Sequence, residues 1–259
     1  MRSAIKSLFR PFALLLRRLG FDPGVILSFK HYPLYKKQKK EWLKSGGKIT
    51  HTYMLLSDYS DKAGSAKGHY FHQDLLVANF IFENNPPRHI DVGSRIDGFV
   101  AHVASFRKIE VIDIRPLAKS EHANIEFRQG DLMNPTDVGM TESLSCLHAI
   151  EHFGLGRYGD PIDVNGHKKG IDNLIKLVKK GGRFYISFPI GQDDEVHFNA
   201  HRVFHPKSIL SIPSVSKNMR LVRFDFIDDN GDLHLDASTD DAVGKTRFGC
   251  GIYTFEKIV

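Results

Sequence analysis

Beyond Pro87 the chain alternates short apolar runs with stretches whose apolar residues recur every three or four positions. RHIDVG reads as a buried strand closing at Gly93, and Asp97-Gly98 then opens a helix with Phe99, Val100, Val103 and Phe106 on one face. IEVID and NIEFR predict a second and a third strand, and ESLSCLHAI a fourth. KGIDNLIKLVKK sets Ile171, Leu174, Ile175 and Val178 on one helical face, stops at Gly181-Gly182 and feeds the strand RFYISFP. Such alternation predicts a parallel sheet with helices on both faces. At the end, MRLVRFDFI, the turn DDNG and FGCGIYTFEKI predict two strands with no helix between them, an antiparallel pair closing the sheet. The expected fold is α/β, a doubly wound, mostly parallel seven-stranded sheet.

Upstream, HYFHQDLLVANFIFEN places Phe71, Leu75, Leu76, Ala78, Asn79 and Ile81 on a helix that ends before Pro86-Pro87, so the folded body is expected over residues 69–259. Residues 1–20 read as an amphipathic helix: Ile5, Leu8, Phe9, Phe12, Leu15, Leu16 and Leu19 face one way, Arg2, Lys6, Arg10 and Arg17 the other, with a kink at Pro11. The stretch between them, with HYPLYKKQKKEW, reads as irregular solvated linker, giving a basic helical N-terminal extension over 1–68.

Charge sharpens this division. Residues 1–48 carry 12 Lys/Arg against only Asp22 and Glu41, whereas the rest of the chain is mildly acidic. A nucleic-acid binder needs its positive charge spread over the folded face, so no nucleic-acid partner is expected. The concentrated charge instead suits an anionic membrane surface, with the 1–20 helix lying apolar side down, or alternatively a helix packed on the protein itself or a partner. The longest apolar run there, Phe12 to Leu16, falls far short of the ~20 residues a span needs. Cys146 and Cys250 are too few for a disulfide framework or a four-cysteine zinc site and suit a reducing cytosol. The expected location is cytoplasmic, peripheral on the inner face of a membrane if the helix binds one.

In an open parallel sheet, ligands bind beyond the carboxyl ends of the strands. The first strand ends Asp91-Val92-Gly93-Ser94, where Gly93 lets a ligand approach the backbone and Asp91 can accept from an ammonium group. The second ends at Asp113, where an acid can take both hydroxyls of a ribose. The third ends Gly130-Asp131, with a carboxylate in reach of an adenine amino group. A dinucleotide would need GxGxxG for its pyrophosphate, and DVGSRIDG lacks it. A phosphate-free ligand with an amino acid at one end and a nucleoside at the other fits, which describes S-adenosylmethionine.

With DVGS, VIDI, GDL, CLHAIEHF and LVKKGGRFYISFP in this order, residues 70–259 resemble the class I S-adenosylmethionine-dependent methyltransferases, whose fold is Rossmann-like. More narrowly, HYFHQDL, AIEHFGLGRYGDPID and FNAHRVFHP resemble a methyltransferase-like family of unknown function linked with bacterial surface polysaccharide synthesis. The resemblance implies that Asp91 and Gly93 contact the methionine end, Asp113 the ribose, and Asp131 with Leu132 the adenine, with Ser94 and His148 completing the cofactor set. One departure is plain: Arg95-Ile96 stand where the superfamily has further glycines.

Methyl transfer to a hydroxyl needs alignment and a base. His152 and His201, on the loops after the fourth and fifth strands, are the candidate bases; Glu151 can orient either imidazole, and Arg157, Asn199 and Arg202 can hold a polar or anionic acceptor such as a sugar. HAIEH also matches the H-x-x-E-H pattern of zinc peptidases, with His148 and His152 as ligands and Glu151 as base, but Gly154 and Gly156 follow too soon for the helix that motif needs. No metal is assigned. The expected activity is S-adenosylmethionine-dependent O-methylation of a sugar or glycan precursor; the alternative is a non-catalytic binding or scaffold protein in a polysaccharide-synthesis complex.

Overall fold

The computed structural model describes residues 23–135 and 137–259. The helix expected over residues 1–20 lies outside them. Contacts divide the chain into Met1–Ser65 and Ala66–Val259. Among the described residues no helix is long and apolar enough to cross a membrane.

In the first unit, helix α1 (Pro23–Ser28) runs through a 3-10 turn at Phe29–His31 into helix α2 (Tyr32–Lys44). This corrects the expectation of an irregular linker. Pro33 sits in the first turn, where its missing N–H costs nothing, and Lys, Gln, Glu and Leu supply helix propensity; with no buried residue, α2 has no apolar period to betray it. Lys39 Nζ donates to Thr52 at 3.0 Å and Trp42 Nε1 to the Lys48 carbonyl at 3.2 Å. Val25, Ile26, Leu27 and Phe29 are all more than half exposed.

The second unit begins with helix α3 (His69–Asn84), which leads to strand β1 (His89–Val92). A π-turn at Ile96–Val100 continues into helix α4 (Ala101–Ala104). Then come strands β2 (Ile109–Asp113), β3 (Ile125–Gln129) and β4 (Thr141–Leu147), helix α5 (Gly166–Leu177) and strand β5 (Val178–Ile190). Strands β6 (Glu195–His197) and β7 (His201–Val203) form a separate antiparallel ribbon. Helix α6 (Pro213–Asn218), strand β8 (Met219–Ile227), strand β9 (Leu233–His234), helix α7 (Thr239–Val243) and strand β10 (Gly249–Lys257) complete the unit.

The sheet order is β3-β2-β1-β4-β5-β10-β8-β9, parallel through β5, with β10 antiparallel to both β5 and β8. The doubly wound α/β fold is as expected, but the sheet has eight strands, because the two-residue β9 joins its edge. Helix α7 also lies between the last two long strands, started by a capping box in which the Ser238 and Asp241 side chains each accept from the other's backbone N–H. Strand β4 stops at Leu147, three residues before the expected end, and Val178 lies on β5 rather than on α5.

Apolar residues cover both faces of the sheet. Ile90, Val92, Leu144 and Ile186 pack with Ile171, Leu174 and Ile175 of α5, whereas Val111, Leu147 and Ile252 pack with Val77 and Ile81 of α3 and Val103 of α4. The buried face of α3 is Gln73, Asp74, Val77, Ala78 and Ile81, whereas Phe71 and Leu75 are exposed.

Between these apolar layers runs a buried polar seam. Ser143 Oγ lies 2.8 Å from His89 Nδ1, His89 Nε2 3.1 Å from Ser145 Oγ, and Ser145 Oγ donates to Asp91 Oδ1 at 2.5 Å. Since Ser145 spends its proton on Asp91, it accepts from Nε2–H, and His89 is the neutral Nε2–H tautomer accepting from Ser143. Burial and the nearby Arg107 charge press the His89 pKa down to about 3, while burial, against the Ser145 and Ser94 hydrogen bonds, lifts Asp91 to about 7.

Candidate functional site

A cavity of about 340 Å³ opens beyond the carboxyl ends of β1 to β4. Its floor is the turn after β1. Asp91 accepts from Ser94 N at 3.1 Å and Ser94 Oγ at 2.6 Å, and Ser94 Oγ in turn accepts from Leu147 N at 3.1 Å, tying the ends of β1 and β4 together. The turn brings Gly93 to φ +73°, and a Cβ there would sit 2.7 Å from Ala149 Cβ, so glycine is required both by conformation and by the approach of the loop after β4. Gly93 faces the cavity. Asp91 and Ser94, expected as ligand contacts, are buried beneath it and act by holding the turn.

Asp113 at the end of β2 and Asp131 after β3 both line the cavity, beside the apolar wall of Val92, Ile112, Leu132 and Met133. Asp131 takes Met133 N at 2.9 Å and Asn134 Nδ2 at 2.8 Å, which shapes the loop carrying Leu132. Asp113 is forked by Arg115, with Nε at 2.9 Å and Nη2 at 2.5 Å, and the Arg115 guanidinium lies 4.6 Å above the Tyr158 ring. Nothing in the strand pattern signalled Arg115 as part of the site.

The loop after β4 supplies the remaining polar wall. His148 adopts φ +50°, and its Nδ1 lies 2.8 Å from Glu151 Oε1. Ile150–His152 is one 3-10 turn, not the longer helix that H-x-x-E-H metal binding needs. Burial works against charge on both partners, but each stabilises the other: Glu151 stays below the usual carboxylate range, and the Cys250 thiol with Glu151 holds His148 well above the usual histidine value. His152 Nδ1 donates to the Ala200 carbonyl at 2.8 Å, so its Nε2 carries the lone pair, 3.7 Å from Glu151 Oε1. Burial lowers the His152 pKa, outweighing the Glu151 carboxylate.

His201 lines the cavity from β7, its ring 5.2 Å from Phe248, and Arg157 reaches the Ala200 carbonyl at 2.7 Å. Two other expected acceptor ligands are elsewhere. Arg202 is buried, donating to the carbonyls of Phe153 at 2.7 Å and Glu151 at 3.3 Å, so it braces the 3-10 turn from behind. Asn199, in the ribbon turn, is exposed and does not line the cavity. Conversely His69, Tyr70, Arg95 and Phe248 line it and were not foreseen; the first two belong to HYFHQDL, whose aromatic and imidazole residues at a helix start were the available signal.

Residues 137–233 match a family model described as a Caenorhabditis protein of unknown function, DUF268. No curated protein matches the chain. Among solved structures, the [4+2]-cyclase SpnF superposes with a TM-score of 0.53 at 13% identity, over 83% of this chain and 90% of its own. An S-adenosylmethionine-dependent methyltransferase from Clostridium acetobutylicum superposes with a TM-score of 0.50 at 12% identity, over 87% of this chain and 100% of its own. Likeness at this level establishes the fold. Because that fold carries both a cyclase and a methyltransferase, function has to be argued from the site.

Proposed function

We propose that the protein is an S-adenosylmethionine-dependent methyltransferase acting on a hydroxyl of a sugar or glycan precursor. The observation that carries the reading is the set of strand-end residues in one cavity: Gly93 at the β1 turn, Asp113 at the end of β2, and Asp131 with Leu132 after β3. Gly93 gives backbone access, Asp113 offers a carboxylate to ribose hydroxyls, and Ile112, Leu132 and Met133 form an apolar slot for a base. When bound, the cofactor supplies an electrophilic methyl group on a sulfonium. The chain's own contribution is alignment and a base. His152, neutral with its lone pair on Nε2, accepts the proton of the acceptor hydroxyl in place of the long 3.5 Å contact from Arg157 Nη1, and its Nδ1–H, held on Ala200, fixes that tautomer. Arg157 and His201, at the same mouth, suit a polyhydroxylated acceptor better than an apolar one.

Calorimetric titration of S-adenosylmethionine tests the site. Asp113→Ala should weaken binding by about tenfold or more, since each charge-assisted hydrogen bond to a hydroxyl contributes ~1.5–3 kcal/mol and part of that is spent displacing Arg115. Unchanged affinity in a folded variant would remove Asp113 from the site and the ribose assignment with it.

The N-terminal unit is read as a membrane-surface anchor. Support comes from the exposed run Val25, Ile26, Leu27 and Phe29 next to the lysine-rich α2, continuing the basic amphipathic character of residues 1–20. Each Lys or Arg near an anionic surface contributes ~1 kcal/mol. The full chain should therefore sediment with vesicles containing phosphatidylserine, less with neutral ones and less again in high salt. Equal recovery in the supernatant with both vesicle types would leave these apolar residues to a protein partner.

A further inference from the structure

His69, His148 and Cys250 come from three separate places: the first turn of α3, the loop after β4 and the second residue of β10. One ligand atom of each lies within 4.8 Å of the others. We propose that these three side chains form a binding site for a borderline-soft divalent cation, zinc foremost, with its open position turned to the cavity.

Four observations carry this. The His148 side chain is only 7% exposed, and its Nε2 is buried without a hydrogen-bond partner, while its other nitrogen is engaged by Glu151 at 2.8 Å. That is the carboxylate–histidine arrangement which orients a metal-binding imidazole and raises its basicity. His69 is held beside it by ring stacking, on His148 at 5.3 Å and on Phe248 at 5.9 Å, with neither ring nitrogen engaged by a side chain. Cys250 is fully buried, and its Sγ makes two long, weak hydrogen bonds, to Gln73 Oε1 at 3.7 Å and to the Gly251 carbonyl at 3.8 Å, which a metal bond would readily replace. Finally, His69 and His148 line the cavity, so a cation bound to them would meet the same space as the candidate substrate.

The donor set selects the ion. Two imidazoles and a thiolate suit zinc and disfavour magnesium or calcium, which take oxygen ligands. With Zn–N near 2.0 Å and Zn–S near 2.3 Å, tetrahedral ligand atoms lie about 3.3–3.5 Å apart, so small side-chain rotations close the site. Three protein ligands leave a fourth position for water or a substrate oxygen, the pattern of zinc sites that do chemistry. Binding takes the neutral imidazoles and the Cys250 thiolate, and any proton these donors carry leaves to solvent as the cation enters. Metal binding here does not depend on the methyl-donor reading.

The full chain, stripped with a chelator, is titrated with Zn²⁺ alone and with Co²⁺ alone. One equivalent of each should bind, Zn²⁺ should raise the melting temperature, and Co²⁺ should give a thiolate-to-metal charge-transfer band in the near ultraviolet. Cys250→Ser should abolish that band, and His69→Ala should weaken Zn²⁺ binding at least tenfold. Cys146→Ala, altering the other buried cysteine, should leave both signals intact. If Cys250→Ser does not fold, His69→Ala decides, because His69 is only partly buried, at the first turn of α3. Failure of the parent chain to bind either ion stoichiometrically, a charge-transfer band that survives Cys250→Ser, or Zn²⁺ affinity unchanged in His69→Ala would overturn the site. Titrating S-adenosylmethionine into the metal-free chain separates the two readings, since its failure to bind would leave the metal result standing.

Discussion

Asp91→Asn should make the fold lose stability more steeply than the parent chain as pH falls below ~6.5. In the native seam Asp91 titrates near 7 and His89 near 3; in an unfolded chain the order reverses, with Asp at ~3.9 and His at ~6.5. Between about pH 4 and 6.5 both states therefore hold one proton on the pair, on Asp91 when folded and on His89 when unfolded, and the pair adds no slope to stability. With asparagine at 91 the folded seam holds none, while the unfolded chain still protonates His89. Stability should then fall as pH drops below ~6.5, by about 1.4 kcal/mol per pH unit, until His89 is protonated in the fold near pH 3. His89→Gln should show the mirror image, losing stability as pH rises from ~4 to ~7, because Asp91 alone must then give up its proton inside the fold. Denaturant titrations of the three proteins across this range check both signs. Curves that run parallel to the parent's would mean that Asp91 is charged in the native state, and the proton count assigned to the pair would fail.

Turnover is expected to fall by about 10²–10⁴-fold in His152→Ala, the usual contribution of a general base, with S-adenosylmethionine affinity nearly unchanged. The imidazole is already oriented, with Nδ1–H on the Ala200 carbonyl and the lone pair on Nε2, where its one hydrogen-bond contact is Arg157 Nη1 at 3.5 Å. Burial keeps its pKa below the usual histidine value, so the acid limb of the parent's rate profile should lie below pH ~6.5 and rise with pH. His201, whose pKa is also lowered by burial and by His197, is the second candidate. His201→Ala should weaken acceptor binding more than it slows the chemical step. Single-turnover rates with a sugar acceptor separate these outcomes. Full turnover in His152→Ala would transfer the role of base to another group at the cavity mouth.

Much of this architecture was legible because buried parallel strands announce themselves. The runs at β1, β2 and the second half of β5 carry an apolar residue at every other position or more, and the ends of β1, β2 and β3 locate Gly93, Asp113 and Asp131. Legibility fails where burial imposes no period. Helix α2 buries nothing, β9 is two residues long, and the β6–β7 ribbon is built from EVH and HRV, so none leaves an apolar signature. Val178 fits a helix face and a strand equally well, and only the pairing of β5 with Thr141 decides. Asp91 was placed in the wrong surroundings for a related reason. A strand-end acid reads as a ligand, but alternation puts it on the same face as His89, where Ser145 and not a cofactor completes its hydrogen bonds. The clustering of His69, His148 and Cys250 depends on tertiary contacts among segments as far apart as α3 and β10, which no local pattern encodes.

The place of β10 bears on how the chain reaches this fold. It is the last strand in sequence, yet it pairs over eight positions with β5 on one side and with β8 on the other. Until Gly249–Lys257 has been synthesised and inserted, β5 has an open edge carrying Phe184, Ile186 and Phe188, and β8 has no neighbour in the parallel sheet. Nascent chains and C-terminal truncations therefore expose a long apolar strand edge, a template for pairing with another copy. Closure of the sheet therefore waits on contacts of large sequence separation, which form only after β10 is available to insert between β5 and β8.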